Sequence, residues 1–457
     1  MESFHNLIAT LSGFVWGPYL LLPLLLGAGA YLMIGLRFMP LRYMGMAFRV
    51  MWKGRKVEAG HEGELSPFKA LMTSMAATVG TGNIVGVATA ISLGGPGAIF
   101  WMWCTALVGM ATKFCEATLA VKFRDVTPDG SYVGGPMYYI RKGLGENWKW
   151  LATLFAIFGA VASFGIGNLT QANAISHNIH DVFGLSEYVT AGILLVLVGI
   201  VLVGGVKRIG DVAGVLVPFM ALFYIIMGLI VMLMNYDKVI PTFGLIFSHA
   251  FSPASAVGGF AGAAVKDAMQ RGVARGLFSN EAGLGSAPIA HATAIVKEPV
   301  RQGFLGMLDP FLDTIVICSI TAVVILISGQ WSAEGEVQKS AALLTAQSFG
   351  TVLPGFGQYV VSIGLLLFAF STILGWSVYG ERCAIYLFGY KSSMIFRIIF
   401  TLVVPLGALA ELKLVWDISD LFNGLMALPN LIALLLLSPV VFRITREYFA
   451  EHHGKIE

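Results

Sequence analysis

Long apolar stretches separated by short polar connections run along almost the whole chain. A helix that crosses a bilayer core needs about 20 apolar residues, and eleven stretches meet or approach that length. The predicted bounds are 14–36, 67–93, 95–122, 150–178, 187–205, 212–235, 258–293, 304–328, 357–388, 393–412 and 416–442. The pattern therefore predicts an all-α integral membrane protein with 11 transmembrane helices.

Two of these stretches are interrupted by small and polar residues. The second contains ATVGTGNIVG (77–86), and the seventh contains GLFSNEAGLGSAP (276–288). Glycine allows the backbone to leave the helix and a ligand to approach it. Unwound backbone persists in a membrane only where protein, ligand or water satisfies it. Paired interruptions indicate the binding site of a transporter, although glycine used only for close helix packing is a competing interpretation.

The two interruptions are five helices apart, which predicts two repeats of five helices and one helix outside them. Because five is odd, the second repeat enters the membrane from the opposite face, and the repeats are inverted. We expect one transmembrane transporter domain over residues 1–457. It comprises an extra N-terminal helix with its loop (1–65), a first repeat (66–236), a second repeat (256–445) and a tail (446–457).

The Lys and Arg residues between the predicted helices fall mostly on one face. Only Lys238, Lys339 and Lys413 lie in connections on the other face. Positively charged connections stay in the cytoplasm. The N-terminus is therefore expected outside the cell and the C-terminus in the cytoplasm. The expected location is the cell membrane, a prokaryotic plasma membrane or inner membrane.

Composition agrees with a lipid environment. Of the 457 residues, 57% are hydrophobic and 12% are charged, whereas soluble domains carry about 25% charged residues. The net charge of +3 does not suggest nucleic-acid binding, and the four cysteines show no metal-site spacing. An enzyme is not expected; a channel, or an intramembrane enzyme built on Asp309 and Asp313, is a remote alternative.

Five strings carry a family resemblance that extends over essentially the whole chain. They are ATVGTGNIVGVA (77–88), GGPGAIFWMWCTALVGMATKFCEA (94–117), GGPMYYI (134–140), FSNEAGLGSAP (278–288) and FAFSTILGW (368–376). With these strings the sequence resembles the alanine or glycine:cation symporters, also called sodium:alanine symporters. The resemblance implies a sodium- or proton-coupled importer of small neutral amino acids. It also implies a five-plus-five inverted-repeat fold similar to that of neurotransmitter-sodium symporters.

We therefore expect a secondary active symporter that imports alanine or glycine with sodium by alternating access. A proton-coupled symporter, or one for another neutral amino acid such as glutamine or serine, is the alternative. Sodium is the expected coupling ion, without an organic cofactor. The expected partners are the amino acid and the lipid bilayer, and the expected state is a monomer.

Candidate substrate residues lie in both interruptions. Backbone N–H groups at the start of a half-helix attract a carboxylate, so Gly80, Thr81, Gly82 and Asn83 are expected to bind that end of the amino acid. In the second interruption we expect Phe278 and Asn280 to contact the substrate, with Asn280 near its amine. For Glu281 we favour a structural or gating role, with Arg275 or Lys266 as its ion-pair partner.

Two further helices complete the predicted pocket. Phe164 and Gln171 lie on one face of the fourth stretch; the resemblance implies Gln171 as a substrate contact, whereas the residues alone leave an interhelical role equally open. Trp376 in the ninth stretch is expected to shorten the pocket and to favour small side chains.

The cation requires hard oxygen ligands. The hydroxyls of Ser371 and Thr372 and the carbonyl of Phe368 supply them within one turn, and the fold resemblance adds the carbonyls of Ala76 and Val79. The alternative is that both hydroxyls bond only to their own helix. If protons drive transport, Asp313 is the expected proton carrier.

Overall fold

The computed structural model describes residues 2–17, 19–56, 62–251, 261–332, 341–410 and 413–452. Within these ranges the chain is almost entirely helical. The α-helices are α1 (Glu2–Val15), α2 (Leu21–Gly35), α3 (Met39–Arg42), α4 (Met44–Lys53), α5 (Pro67–Thr78), α6 (Val85–Gly94), α7 (Ala98–Lys122), α8 (Pro136–Tyr139), α9 (Lys149–Phe164), α10 (Thr170–Phe183), α11 (Glu187–Val203), α12 (Gly205–Met234), α13 (Tyr236–Phe251), α14 (Ala261–Asn280), α15 (Ala287–His291), α16 (Pro299–Gly306), α17 (Leu308–Pro310), α18 (Ser319–Ser328), α19 (Ala341–Val352), α20 (Gly357–Phe388), α21 (Ser392–Leu409) and α22 (Lys413–Glu451). Strands β1 (Asp125–Val126) and β2 (Tyr132–Val133) form a short antiparallel pair in which Asp125 lies opposite Val133.

Seven helical runs in the described part of the chain are long and apolar enough to cross a membrane, and an eighth is the bent pair α5–α6. The helices α2 and α11 are apolar but shorter. These findings confirm a helical, multi-pass architecture, and the count of eleven helices stays a prediction.

Burial separates a central helix from peripheral ones. Most of the apolar core of α20 is buried, whereas α12 and α21 are largely exposed. Their exposed side chains are nevertheless apolar, as with Val215 and Leu233 on α12. Apolar surface of this kind is stable against lipid tails. We conclude that α20 occupies the centre and that α12 and α21 lie at the rim.

The first interruption is a sharp break. Ser66 caps α5 by accepting a 3.2 Å hydrogen bond from the Lys69 amide, and Pro67 occupies the first turn of the helix, where its missing N–H costs nothing. After Thr78 the backbone is extended, one 3₁₀ turn covers Thr81–Asn83, and α6 continues at an angle of 61°.

The second interruption follows α14. Glu281, Gly283 and Gly285 have φ angles of +53°, +90° and +86°, values that no α-helix contains and that glycine adopts without strain. The chain becomes helical again at α15. Both predicted interruptions are therefore breaks in the helices.

Packing brings the two breaks together. The helix α7 packs against α14 and α16, and α5 packs against α12 and α20. The first break contacts both α14 and α20. Two further runs, α9–α10 and α16–α18, contain π-helical segments at Gly165–Leu169 and Phe311–Cys318, a distortion that is frequent at functional sites.

Candidate functional site

A narrow buried cavity lies where the two breaks, the π-helical segment of α9–α10 and the central helix α20 meet. Its volume is about 20 Å³. The residues that line it are Ala77, Thr78, Gly80, Thr81, Gly82, Ile166, Gln171, Phe278, Glu281, Thr372, Trp376 and Asn423. Of the nine predicted substrate residues, the structure brings six to this cavity: Gly80, Thr81, Gly82, Gln171, Phe278 and Trp376.

The first break can bind an anionic group through its backbone. The amides of Thr81 and Gly82 begin a helical turn, so they have no acceptor within it. A Cβ atom on Gly80 would lie 2.6 Å from Thr372 Oγ1. Glycine is therefore required for the close approach of this backbone to α20.

Gln171 presents an unused acceptor at the cavity. Its Nε2 atom donates to the Ile166 carbonyl at 3.0 Å and to Thr81 Oγ1 at 3.4 Å. Its Oε1 atom is buried and has no hydrogen-bond partner in the described part of the chain. Buried polar atoms are normally paired, so this oxygen is suited to a donor on a bound ligand.

Trp376 and Glu281 also line the cavity. The indole Nε1 of Trp376 donates to Glu281 Oε1 at 3.1 Å, and Ser286 Oγ donates to Glu281 Oε2 at 2.6 Å. A Cβ atom on Gly167 would lie 2.1 Å from Trp376 Cβ, so glycine in the π-helical segment admits the ring. The indole is thus fixed on two sides, and it limits the size of the cavity.

Glu281 lines the cavity although sequence reasoning did not select it as a substrate contact. The signal was present, because an ionisable residue inside a membrane span is a functional candidate. Among the described residues no ion pair joins it to Arg275, whose guanidinium lies 5.7 Å from the centre of the Phe278 ring. The side chain of Lys266, the other expected partner, lies outside the described residues.

Asn83 does not line the cavity and instead joins the first break to the eighth predicted span. Its Oδ1 atom accepts from the Gly80 amide at 2.8 Å, and its Nδ2 atom donates to Asp313 Oδ1 at 2.6 Å. Asp313 Oδ2 accepts from Ser279 at 2.9 Å and from Thr314 at 2.7 Å. One buried carboxylate therefore connects residues of both breaks.

Two other predicted substrate residues also lie away from the cavity. Asn280 Nδ2 contacts the hydroxyls of Thr105 and Thr314 at 3.4 and 3.3 Å, and its Oδ1 atom accepts from the Ala282 amide. Phe164 packs against the rings of Phe396 and Phe400 on α21, with centroid distances of 5.3 and 5.4 Å.

Of the predicted cation ligands, Thr372 on α20 comes close to the end of α5. Thr372 Oγ1 lies 3.4 Å from the Val79 carbonyl and 2.9 Å from the Phe368 carbonyl, and Ser371 Oγ lies 2.9 Å from the Phe368 carbonyl. Ala76 is fully buried one turn before the break. The hydroxyls bond to their own helix, as the alternative interpretation predicts, and Thr372 also reaches the broken one. Neutral hydroxyl and carbonyl oxygens of this kind suit a hard monovalent cation.

A buried ion pair lies beneath the first break. Lys113 Nζ is 3.0 Å from Asp309 Oδ2, and neither side chain is exposed. The same carboxylate oxygen accepts from Ser74 at 2.7 Å and from Thr78 at 3.3 Å. Because Thr78 lines the cavity, the ion pair holds one wall of the cavity in position.

The two faces of the protein differ. On one face a vestibule of about 410 Å³ reaches the cavity, and both share Thr81, Gly82 and Phe278. On the other face an ion pair, which we call the seal, joins Glu64 before α5 to Arg382 on α20. Arg382 is 3.0 Å from Glu64 Oε1, which also accepts from the Tyr132 amide at 2.6 Å. Burial raises the pKa of Glu64, and the charge of Arg382 opposes that rise.

Comparisons with known proteins agree with this architecture. The sequence profile of the sodium:alanine symporter family matches residues 1–457. The chain is 49% identical over 447 residues to the sodium/alanine symporter AgcS of Methanococcus maripaludis, covering 97% of each chain. It is 39% identical over 448 residues to the probable sodium/glutamine symporter GlnT of Bacillus subtilis, covering 97% of this chain and 90% of GlnT.

Solved structures share the fold at low sequence identity. MhsT in complex with L-phenylalanine matches with a TM-score of 0.55 and 14% identity, over 84% of this chain and 99% of MhsT. A manganese transporter of Eremococcus coleocola matches with a TM-score of 0.51 and 11% identity, over 85% of this chain and 87% of that chain. The chain is therefore a transporter rather than an enzyme, a multi-pass protein of the cell membrane that belongs to the sodium:alanine symporter family.

Proposed function

We propose that this protein imports a small neutral amino acid, alanine or glycine, together with sodium. The observation that carries the proposal is the narrow cavity between the two broken helices, where free backbone amides, the unpartnered oxygen of Gln171 and the fixed indole of Trp376 meet. Membership of the sodium:alanine symporter family supports the same substrate and coupling ion.

The amino acid would lie with its carboxylate at the first break. The amides of Thr81 and Gly82 and the Thr81 hydroxyl would bind the carboxylate, with Gly80 giving close access to the backbone. The Gln171 oxygen and the Glu281 carboxylate would accept from the ammonium group. The Phe278 side chain, which lines both spaces, would separate the bound ammonium group from the vestibule.

Three predicted substrate residues would support the site without contacting the amino acid: Asn83, Asn280 and Phe164. Asn83 would hold the first break through Asp313, and Asn280 would hold the second break against α7 through Thr105. Phe164 would support the fourth span against α21. These residues would therefore position the groups that bind the amino acid.

Sodium would occupy the space between Thr372 and the end of α5. The hydroxyls of Ser371 and Thr372 and the carbonyls of Ala76, Val79 and Phe368 would be its ligands. The amides of Thr81 and Gly82, which would bind the amino acid, belong to the same break as Val79. Sodium and the amino acid would therefore each favour the backbone conformation that the other requires. Their binding would then be mutually favourable, as linkage demands.

Alternating access would use the two unlike faces. We place the vestibule outside the cell and the seal of Glu64 and Arg382 at the cytoplasm, with the N-terminus outside and the C-terminus inside. Eleven helices would form a five-plus-five inverted repeat (66–236 and 256–445) with one extra N-terminal helix (within 1–65) and a cytoplasmic tail (446–457). The protein would work as a monomer.

Uptake into proteoliposomes tests the proposal. Labelled L-alanine should accumulate with an inward sodium gradient and not with an equal potassium gradient, and unlabelled glycine should compete. Competition by glutamine alone would assign the pocket to a larger substrate. Accumulation that needs an imposed pH gradient, and not sodium, would reject sodium coupling.

A further inference from the structure

A second cavity lies on the sealed face, between α4 and the segment 295–301. Its volume is about 50 Å³, enough for one small group. Five cationic side chains line it: Arg49, Lys53, Lys56, Lys297 and Arg301. The proposed transport cycle uses none of them.

Three of the five cations in this basic cavity lack an acidic partner in the described part of the chain. Arg49, Lys53 and Lys297 are exposed, and in the described ranges no carboxylate lies within 4 Å of any of the three. The nearby Glu298 contacts Arg301 at 3.9 Å and His452 at 3.5 Å. Because Arg49, Lys53 and Lys297 outnumber the nearby carboxylate of Glu298, the cavity attracts an anion.

The helix α4 beside the basic cavity has the features of a helix at the membrane interface. Met46 and Ala47 on its inner side are buried, and Phe48 packs edge-on against Phe311 at 6.0 Å. Trp52 is 65% exposed, with the Arg55 guanidinium 3.9 Å from the centre of its ring. Exposed tryptophan beside basic residues on a short amphipathic helix is typical of the membrane interface.

We propose that the basic cavity binds the phosphate of an anionic phospholipid headgroup. Arg49, Lys53 and Lys297 would contact the phosphate oxygens, and the apolar lining of Val50, Pro67 and Val296 would contact the start of the acyl region. Basic pockets on the cytoplasmic side of membrane helices bind anionic headgroups in this manner. Phospholipids and soluble phosphate esters both carry a phosphate group that these cations could bind. We favour the lipid because the helix α4 beside the cavity resembles an interfacial helix.

A bound headgroup would contact two segments that are hydrogen-bonded to each other beside the seal. Pro67 lines the cavity and lies two residues after Leu65. Ile295 also lines it, and the Ile295 amide donates to the Leu65 carbonyl at 2.7 Å. The amides of Glu64 and Leu65 donate to the Thr293 carbonyl at 2.8 and 3.0 Å. A ligand that contacts both segments would stabilise the hydrogen bonds between them.

Lipid titration of the purified full-length chain in neutral detergent tests this site. The probes are dioleoylphosphatidylglycerol, dioleoylphosphatidylcholine with the same acyl chains, and glycerol 3-phosphate. Phosphatidylglycerol should raise the thermal midpoint, whereas the other two should not. Native mass spectrometry should detect one retained phosphatidylglycerol.

The site variant is Lys53→Gln with Lys297→Gln, and the matched control is Lys149→Gln with Lys391→Gln, which removes two exposed cations of the same face. The site variant should need about thirtyfold more phosphatidylglycerol for half of the shift, and the control should need the wild-type amount. If the double variant does not fold, Arg49→Gln alone should weaken binding about fivefold.

Three results would overturn the proposal. An equal response of the site variant and the control would show that net charge, and not this cavity, binds the lipid. A full shift with phosphatidylcholine would remove the requirement for an anion. A full shift with glycerol 3-phosphate would replace the lipid by a soluble phosphate ester. Alanine uptake by the site variant, which leaves the substrate cavity intact, separates this test from the proposed function.

Discussion

The side-chain amide of Asn83 donates a 2.6 Å hydrogen bond to the carboxylate of Asp313. Asn83 lies in the first break, and the same carboxylate accepts from Ser279 beside the second break at 2.9 Å. Three donors therefore meet two carboxylate oxygens in a fully buried position. The two unwound segments are held at a fixed distance by one residue of the eighth predicted span.

Asp313→Asn should lower both stability and transport. The new amide would place a donor opposite Asn83 or Ser279, and the loss of a charged acceptor costs about 1.5–3 kcal/mol. We expect a lower thermal midpoint of the purified protein and slower sodium-driven uptake. Asp211→Asn is the control, because Asp211 is 63% exposed and its contact with Lys69 is at the surface. Wild-type midpoint and uptake in Asp313→Asn would contradict the positioning role.

Trp376→Ala should widen the range of transported amino acids. The indole lines the cavity and is fixed by Glu281 at 3.1 Å, so its removal extends the space available to a side chain. We expect glutamine or leucine to compete with labelled alanine in the variant and not in the wild type. Trp331→Ala is a tryptophan control in the described chain that lies outside this cavity. An unchanged competition profile would mean that another residue limits substrate size.

Thr372→Val should weaken sodium binding while preserving side-chain shape. It removes the hydroxyl that lies 3.4 Å from the Val79 carbonyl. We expect the sodium concentration for half-maximal uptake to rise about tenfold, equivalent to about 1.4 kcal/mol. Thr401→Val on the rim helix α21 is the control, because its hydroxyl donates to the Arg397 carbonyl of its own helix. A normal sodium dependence in Thr372→Val would place the cation elsewhere.

Arg382→Gln should loosen the sealed face. It leaves the Glu64 carboxylate buried without its cation, and a buried unpaired charge is strongly destabilising. Amides of residues 62–66 and 291–296 should then exchange hydrogen faster. Arg141→Gln is the control on the same face, since Arg141 pairs with the exposed Glu146.

The same variant should respond to pH in a defined direction. Burial raises the pKa of Glu64 in the sealed conformation above its ordinary value, so protonation favours that conformation and the benefit disappears as pH rises. Acidification should therefore reduce the extra hydrogen exchange of Arg382→Gln, because neutral Glu64 no longer requires a cation. An exchange difference that is independent of pH would mean that Glu64 does not titrate there.

Local signals were enough to locate the breaks and much of the cavity. Glycine and polar residues within an apolar run predict unwinding because their effect on the backbone acts within a few residues. The backbone groups at Gly80, Thr81 and Gly82 follow directly from that unwinding. Gln171 was selected with the help of the family resemblance, and Trp376 was selected from its position one helical turn after Thr372.

The partners of the polar side chains were decided by the tertiary structure. Asn83 and Asn280 are polar residues in the breaks, which is where substrate-binding residues were expected. Their side-chain amides instead contact Asp313 and Thr105, which are 230 and 175 residues away in the chain. Phe164 shares a predicted face with Gln171, but the π-helical segment between them changes the helical register, and the ring packs on α21.

The sequence by itself determined a helical membrane transporter with two interrupted spans, because hydrophobic length and glycine content act locally. Only the tertiary structure decided that Glu281 fixes Trp376 at 3.1 Å and that Lys113 pairs with Asp309 at 3.0 Å. A buried polar group takes the nearest partner that satisfies it, and which partner is nearest depends on how distant helices pack.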